Sequence, residues 1–175
     1  MAQAYKVLIA GPFNAGKTAF IRTISEIPIV STEERISDRH RSVKDETTVA
    51  LDYGQARLDG CLLHLYGTPG QARFDFMWDI LSDEMDGFVL LLDSTDRGSL
   101  LEAKKLIRFY RRRGGDIPYL VAANKQDLNR ARSAEAIRSL IGLDEQVPVV
   151  DCVAHEGRSV KKVLAAMVGL LKREA

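Results

Sequence analysis

Gly11-Pro12-Phe13-Asn14-Ala15-Gly16-Lys17-Thr18 is the stretch on which the reading of the whole chain turns. It fits the spacing G-x-x-x-x-G-K-[ST], with the apolar run Tyr5 to Ala10 before it and a helical pattern, Lys17 to Ile27, after it. In that setting the glycines let backbone N–H groups turn inward, so that Asn14, Ala15, Gly16, Lys17 and Thr18 form a cradle for phosphate. The start of the helix adds the positive end of its dipole, Lys17 reaches the terminal phosphates, and the Thr18 hydroxyl suits Mg²⁺. A chance glycine turn ahead of a helix is the plain alternative, and it explains neither the preceding strand nor the Lys-Thr pair. The loop alone leaves the base open, because adenylate-handling kinases and ATPases use similar loops.

Outward from this loop, strand-like runs at Leu62 to Tyr66, Phe88 to Asp93, Tyr119 to Asn124 and Val147 to Val150 alternate with helical patterns. The helices are expected near Asp75 to Glu84, Ser99 to Arg113, Ser133 to Leu140 and Ser159 to Lys172. Such alternation builds βα units on a mostly parallel sheet. Between Val49 and Tyr66 an Asp59-Gly60 turn joins two runs, which argues a hairpin whose first strand is antiparallel. The expected fold class is therefore α/β: a P-loop NTPase fold with a mostly parallel six-stranded sheet, one antiparallel edge strand, and helices on both faces. Residues 1–175 read as one domain, and the polar stretch Pro28 to Thr47 as a loop.

Lys and Arg number 25 against 24 Asp and Glu, so the formal net charge of +1 gives no whole-chain attraction to nucleic acid or anionic lipid. Cys61 and Cys152 fit no zinc or disulfide spacing and read as buried thiols. No apolar run approaches the roughly 18 residues of a membrane span, and neither a signal-peptide pattern nor a lipidation motif is present. The expectation is a cytoplasmic protein with no direct membrane anchor and no nucleic-acid partner.

The base is addressed by Asn124-Lys125-Gln126-Asp127, which follows a strand-like run directly and so falls at the carboxyl edge of the sheet, where ligands of open α/β folds bind. Guanine offers two donors, N1–H and the 2-amino group, that one carboxylate, Asp127, can accept together; adenine has no such pair on that edge. Lys125 can lay its alkyl stem on the base, and Asn124 can tie the base-binding loop to the phosphate loop through its amide.

The ordered set of phosphate loop, Thr47-Thr48, Thr68-Pro69-Gly70-Gln71 and Asn-Lys-x-Asp resembles that of Ras-like small GTPases over nearly the whole chain. The resemblance implies a GTP/GDP molecular switch using Mg²⁺, with slow, partner-stimulated hydrolysis. By it Thr48, with Thr47 as fallback, contacts Mg²⁺ and the γ-phosphate, so that Thr18 and Thr48 are the metal residues; two β-formers entering a strand are the plain reading of the same pair. The Gly70 N–H binds the γ-phosphate, Gln71 positions the attacking water, and Lys17 stabilises the transferring charge. Asp151-Cys152-Val153-Ala154-His155 stands where the last base-contacting motif belongs, and the resemblance has the Ala154 N–H meet guanine O6.

Two departures stand out. The aspartate that normally opens the second-switch motif and steadies a Mg²⁺-bound water is Gly67, and Phe13 replaces a phosphate-loop glycine. Thr-Pro-Gly-Gln without the aspartate is similar to prokaryotic GTPases of the MglA and conservon types, which implies Roadblock/LC7-type partners beside effectors and GTPase-activating proteins at the switch regions. With Gly67 and Phe13 in view, the alternative is a GTP-binding interaction module with little or no hydrolysis. Phe74, Met77, Trp78 and Leu81 form a helical stripe that reads as core, in part free for a partner. Arg108, Arg111, Arg112 and Arg113 read as solvated cations that complement a helix C-terminus.

Overall fold

The computed structural model describes residues 2–37, 46–69 and 75–175. Twelve elements follow in chain order: β1 Gln3–Ala10, α1 Lys17–Ile24, β2 Val30–Ser37, β3 Glu46–Leu58, β4 Cys61–Gly67, α2 Asp75–Ser82, β5 Gly87–Asp93, α3 Arg97–Gly114, β6 Tyr119–Asn124, α4 Ala134–Ile141, β7 Val149–Asp151 and α5 Gly157–Glu174. They form one sheet in the order β2-β3-β4-β1-β5-β6-β7. β1 pairs in parallel with β4 and β5, and β5, β6 and β7 continue in parallel, while β3, one in from the edge, runs antiparallel to both β2 and β4.

The α/β class and the helices on both faces agree with expectation, but among the described residues the sheet has seven strands rather than six. The extra strand, β2, lies within the stretch Pro28 to Thr47 expected to be a loop, and the last two residues of that stretch, Glu46 and Thr47, open β3; residues 38–45 are outside the described residues. Val30–Ser37 carries Glu33, Glu34 and Arg35, a composition without apolar alternation. An edge strand needs none, because its stabilisation comes from main-chain pairing with β3 from Val30↔Tyr53 to Ser37↔Glu46.

The β3–β4 hairpin turns at Asp59 and Gly60, both with positive φ (50° and 77°), as a two-residue loop between right-twisted strands requires. Its register runs from Leu58↔Cys61 to Asp52↔Gly67. One face of the sheet buries Phe20 and Ile21 of α1 and Val160, Val163, Leu164 and Met167 of α5. The other packs Trp78 and Leu81 of α2, Leu100 and Leu106 of α3, and Ile137 of α4. This fixes α1 beneath the carboxyl ends of β1 and β4, where Ala10 runs straight into the phosphate loop.

Cys61 and Cys152 are free and buried, and burial pushes the Cys152 thiol up to about 12 despite a hydrogen bond with Ser159. Both are thus inert thiols. Trp78 and Leu81 are core residues, as the plain reading of the stripe has it, while Ile80 is exposed.

Candidate functional site

At the carboxyl ends of the strands, α1 opens at Gly16 with no side-chain cap and no acidic residue in its first turn. An uncapped start of this kind presents amides and the helix dipole to an anion. Gly16 has φ 101°, and a Cβ there would stand 2.5 Å from Asn124 Nδ2. At Gly11 a Cβ would lie 2.1 Å from the Leu91 carbonyl oxygen. Both glycines are therefore demanded by close approach of neighbours. Asn14 turns the loop with φ 64°.

Lys17 folds over this loop and donates to the carbonyls of Gly11 (2.7 Å) and Pro12 (2.8 Å). Burial lowers its pKa to about 8, opposed by the negative charges of Asp52 and Glu102. Loss of water without a full countercharge is the physical cause, and a bound polyanion would reverse it. The Thr18 hydroxyl donates to Asp52 Oδ2, and Ser31 of β2 donates to Asp52 Oδ1 at 2.8 Å. Asp52 is nearly buried.

Asn124 ends β6 and is 3% exposed. Its Nδ2 donates to the Ala15 carbonyl at 2.8 Å, and its Oδ1 accepts from the Ala154 amide at 2.9 Å. One side chain thus ties the phosphate loop to the segment after β7, as its amide chemistry suggested. The Ala154 N–H, expected to meet guanine O6, is engaged by Asn124 here. The Ala154 carbonyl in turn accepts from Thr23 of α1 at 2.6 Å.

Lys125, with φ 66°, donates to the Asn14 carbonyl (3.0 Å) and to Asp93 Oδ2 (2.6 Å). Burial works to raise the Asp93 pKa, but hydrogen bonds from Lys125 and Thr95 outweigh it and hold the carboxyl below its ordinary value. Asp93 was not among the sequence candidates. No local signal marked it: the parallel register, which sets it opposite Asn124 at the end of β5, is what brings it to Lys125. Gln126 Nε2 braces the same corner through Ser94 Oγ (3.0 Å) and the Arg132 carbonyl (2.9 Å). Asp127 stands at the exposed rim with its Oδ2 3.8 Å from His155 Nε2, its carboxylate open to solvent.

Asn14, Ala15, Gly16, Lys17, Thr18, Asn124, Lys125, Asp127 and Ala154 thus converge on one edge of the sheet. Thr48 lies elsewhere in the backbone plan, within β3 and opposite Arg35 of β2. Gly70 and Gln71 are outside the described residues. The chain leading to them is anchored, with Thr68 N bonded to the Ile9 carbonyl at 3.1 Å and the Trp78 indole donating to the Pro69 carbonyl at 2.8 Å. Phe13 projects outward, 67% exposed.

The family model of the ADP-ribosylation factor family (Arf) matches residues 1–170. The chain belongs to the Arf family. It is 29% identical to ADP-ribosylation factor-related protein 1 of Bos taurus, over 97% of this chain and 80% of that protein. It is 27% identical to ADP-ribosylation factor-like protein 3 of Chlamydomonas reinhardtii, over 95% and 90% respectively. It is also 29% identical to human ADP-ribosylation factor-like protein 4C, over 83% and 73%. These relatives are eukaryotic Arf-type proteins, so the Ras-like resemblance holds at the level of the superfamily while its MglA and conservon refinement finds no support. Arf proteins are small GTPases that bind GTP and GDP with Mg²⁺ and engage effectors and GTPase-activating proteins. Among the described residues, no helix is long and apolar enough to cross a membrane.

Proposed function

We propose that this Arf-family chain, read as one G domain over residues 1–175, is a guanine-nucleotide switch that hydrolyses GTP slowly and is accelerated by a partner. The observation that carries the reading is the Asn124 clamp, which joins the Ala15 carbonyl to the Ala154 amide and so preassembles a phosphate cradle beside a base loop. The uncapped N-terminus of α1 and the partly desolvated Lys17 both call for a polyanion. Lys17 would exchange its two carbonyl partners for β- and γ-phosphate oxygens, a stronger charge-assisted pairing. Asp127, exposed at the rim with its Oδ2 3.8 Å from His155 Nε2, can accept both guanine donors.

The donor set also fits Mg²⁺. Thr18 offers a hydroxyl oxygen whose proton is already committed to Asp52, leaving its lone pairs for a hard cation. Among the described residues no cluster of three His, Cys, Asp or Glu side chains stands ready to hold a metal, so retention would depend on phosphate oxygens together with Thr18. When bound, the cation supplies charge neutralisation at the β- and γ-phosphates. Thr48 and Gly70 would close on the γ-phosphate, and Gln71 would orient the attacking water. Thr48 is drawn into the β2–β3 pairing, so that contact requires rearrangement of the edge strand.

The binding-module alternative rests on Gly67 and on the exposed Phe13, whose ring stands on the loop at which a partner's arginine would arrive. Single-turnover GTP hydrolysis by the wild type and Gln71→Leu separates the two. Slow turnover, on the order of 10⁻⁴ per second as in unassisted Ras-type proteins, that falls further in the variant without loss of binding supports the switch. Tight GTP binding with no turnover in either protein, with or without cell extract, favours the module.

A further inference from the structure

In the second-switch motif of the resemblance an aspartate steadies a Mg²⁺-bound water, and its position here is Gly67, at the end of β4. Asp52 of β3 lies directly opposite Gly67 in the antiparallel register. Directly opposed residues project from the same face of a sheet, so a carboxylate from either strand reaches the same place. That face is the one on which α1 packs: a Cβ at Gly67 would stand 3.1 Å from Ile21 Cδ1 and 3.2 Å from Asp52 Cβ. Both contacts are tighter than ordinary van der Waals packing, so a side chain at Gly67 would need Asp52 or Ile21 to give way, and glycine there leaves the space to Asp52.

The structure assigns the vacant role to Asp52: it is the metal-facing carboxylate of this chain, delivered from β3 in place of Gly67. Its Oδ2 already accepts the Thr18 hydroxyl proton. A hydroxyl that donates to a carboxylate keeps its lone pairs free for a cation and gains basicity as a ligand. Oδ1 is held by Ser31 at 2.8 Å, which fixes the carboxylate's rotation and retains lone-pair capacity for a water on the metal. Asp52 is nearly buried, and the cation its charge acts on is the Lys17 ammonium of the same phosphate loop. It acts through Thr18 and is therefore a positioning residue. Ser31 belongs to the edge strand β2, so the same carboxylate links the metal site to the strand that must rearrange if Thr48 is to reach the γ-phosphate.

This inference rests on the nucleotide reading above, and the test keeps the two apart. Dissociation of a fluorescent GDP analogue is measured at pH 7 in Mg²⁺ and in EDTA for the wild type, Asp52→Asn, and the transposed double variant Asp52→Gly/Gly67→Asp. The wild type is expected to release nucleotide more slowly in Mg²⁺. Asp52→Asn should need about 10- to 100-fold more Mg²⁺ for the same retention, the usual effect of removing a residue that supports a metal ligand, with no loss of GDP affinity in EDTA. The transposed variant should recover most of the Mg²⁺ sensitivity. A wild type that binds no guanine nucleotide, or binds it without regard to Mg²⁺, would sink the nucleotide reading itself. A normal wild type with an Asp52→Asn variant of equal Mg²⁺ dependence would overturn the assignment alone. So would an Asp52→Asn variant that loses GDP affinity equally in EDTA, since that marks a structural role, or a transposed variant that folds and recovers nothing.

Discussion

Replacing Asn124 with alanine removes two hydrogen bonds at a residue only 3% exposed, and strands the Ala15 carbonyl and the Ala154 amide. A buried polar group left without a partner costs about 1–3 kcal/mol, so two of them, eased by partial access of water through the empty side-chain volume, amount to about 2–4 kcal/mol. In a chain of this size each kcal/mol lowers the melting temperature by about 2–4 °C, which gives an expected fall of about 4–16 °C. The loss is not confined to stability, because the clamp holds phosphate loop and base loop in register. GDP affinity should fall by more than about tenfold even at temperatures where the variant is folded, the worth of roughly 1.4 kcal/mol of lost preorganisation. Calorimetric melts of the nucleotide-free protein and fluorescence titration with GDP report the two effects separately. A variant that melts within about 1 °C of wild type and binds GDP normally would refute the claim that Asn124 is the element joining the two loops.

Gly16→Ala places a Cβ 2.5 Å from Asn124 Nδ2 at a φ of 101°, so it should destabilise by about 1–3 kcal/mol and displace the clamp; normal thermal stability with intact nucleotide binding would contradict this. Lys17 titrates near 8 in the free protein, so binding that needs its ammonium should be insensitive to this group below pH 8 and weaken by up to about tenfold between pH 8 and 9, where binding must also take up a proton. The nucleotide-free fold responds in the opposite sense: between about 8 and the ordinary lysine value the unfolded chain holds the proton and the folded one does not, so stability rises with pH; a flat GDP affinity from pH 7 to 9 would refute the assignment. Asp127→Asn should cost at least about 1.5–3 kcal/mol in GTP binding and shift preference toward xanthosine nucleotides, as read by competition.

What was legible in the sequence was local. The phosphate loop, the Asn-Lys-x-Asp segment and the Asp59-Gly60 hairpin each announce themselves within a few residues, because each depends on a special backbone conformation or on one side chain's chemistry. β2 was not legible: Glu33, Glu34 and Arg35 give no periodicity, and only main-chain pairing with β3 makes the segment a strand. The roles of Asp93 and Asp52 were hidden for a different reason, since Lys125 lies 32 residues from the first and Thr18 34 from the second. Counting equally outward from the two-residue turn pairs Asp52 with Gly67, so the hairpin did contain the missing carboxylate for a reading that carried the register to its end. Gly70 and Gln71 lie outside the described residues, and their roles stand on the family motif.

The central claim is that this Arf-family chain selects guanine nucleotide through Asp127 and a preassembled loop pair. Competition of GTP, GDP and ATP for the site, with a fluorescent guanine nucleotide as probe and Mg²⁺ present, tests it most directly. A charged hydrogen-bonded pairing of Asp127 with guanine is worth at least about 1.5–3 kcal/mol, a factor of roughly 10–150, so GTP and GDP should displace the probe at stoichiometric levels while ATP at the same concentration leaves it bound. Displacement by ATP at concentrations similar to GTP would contradict the account.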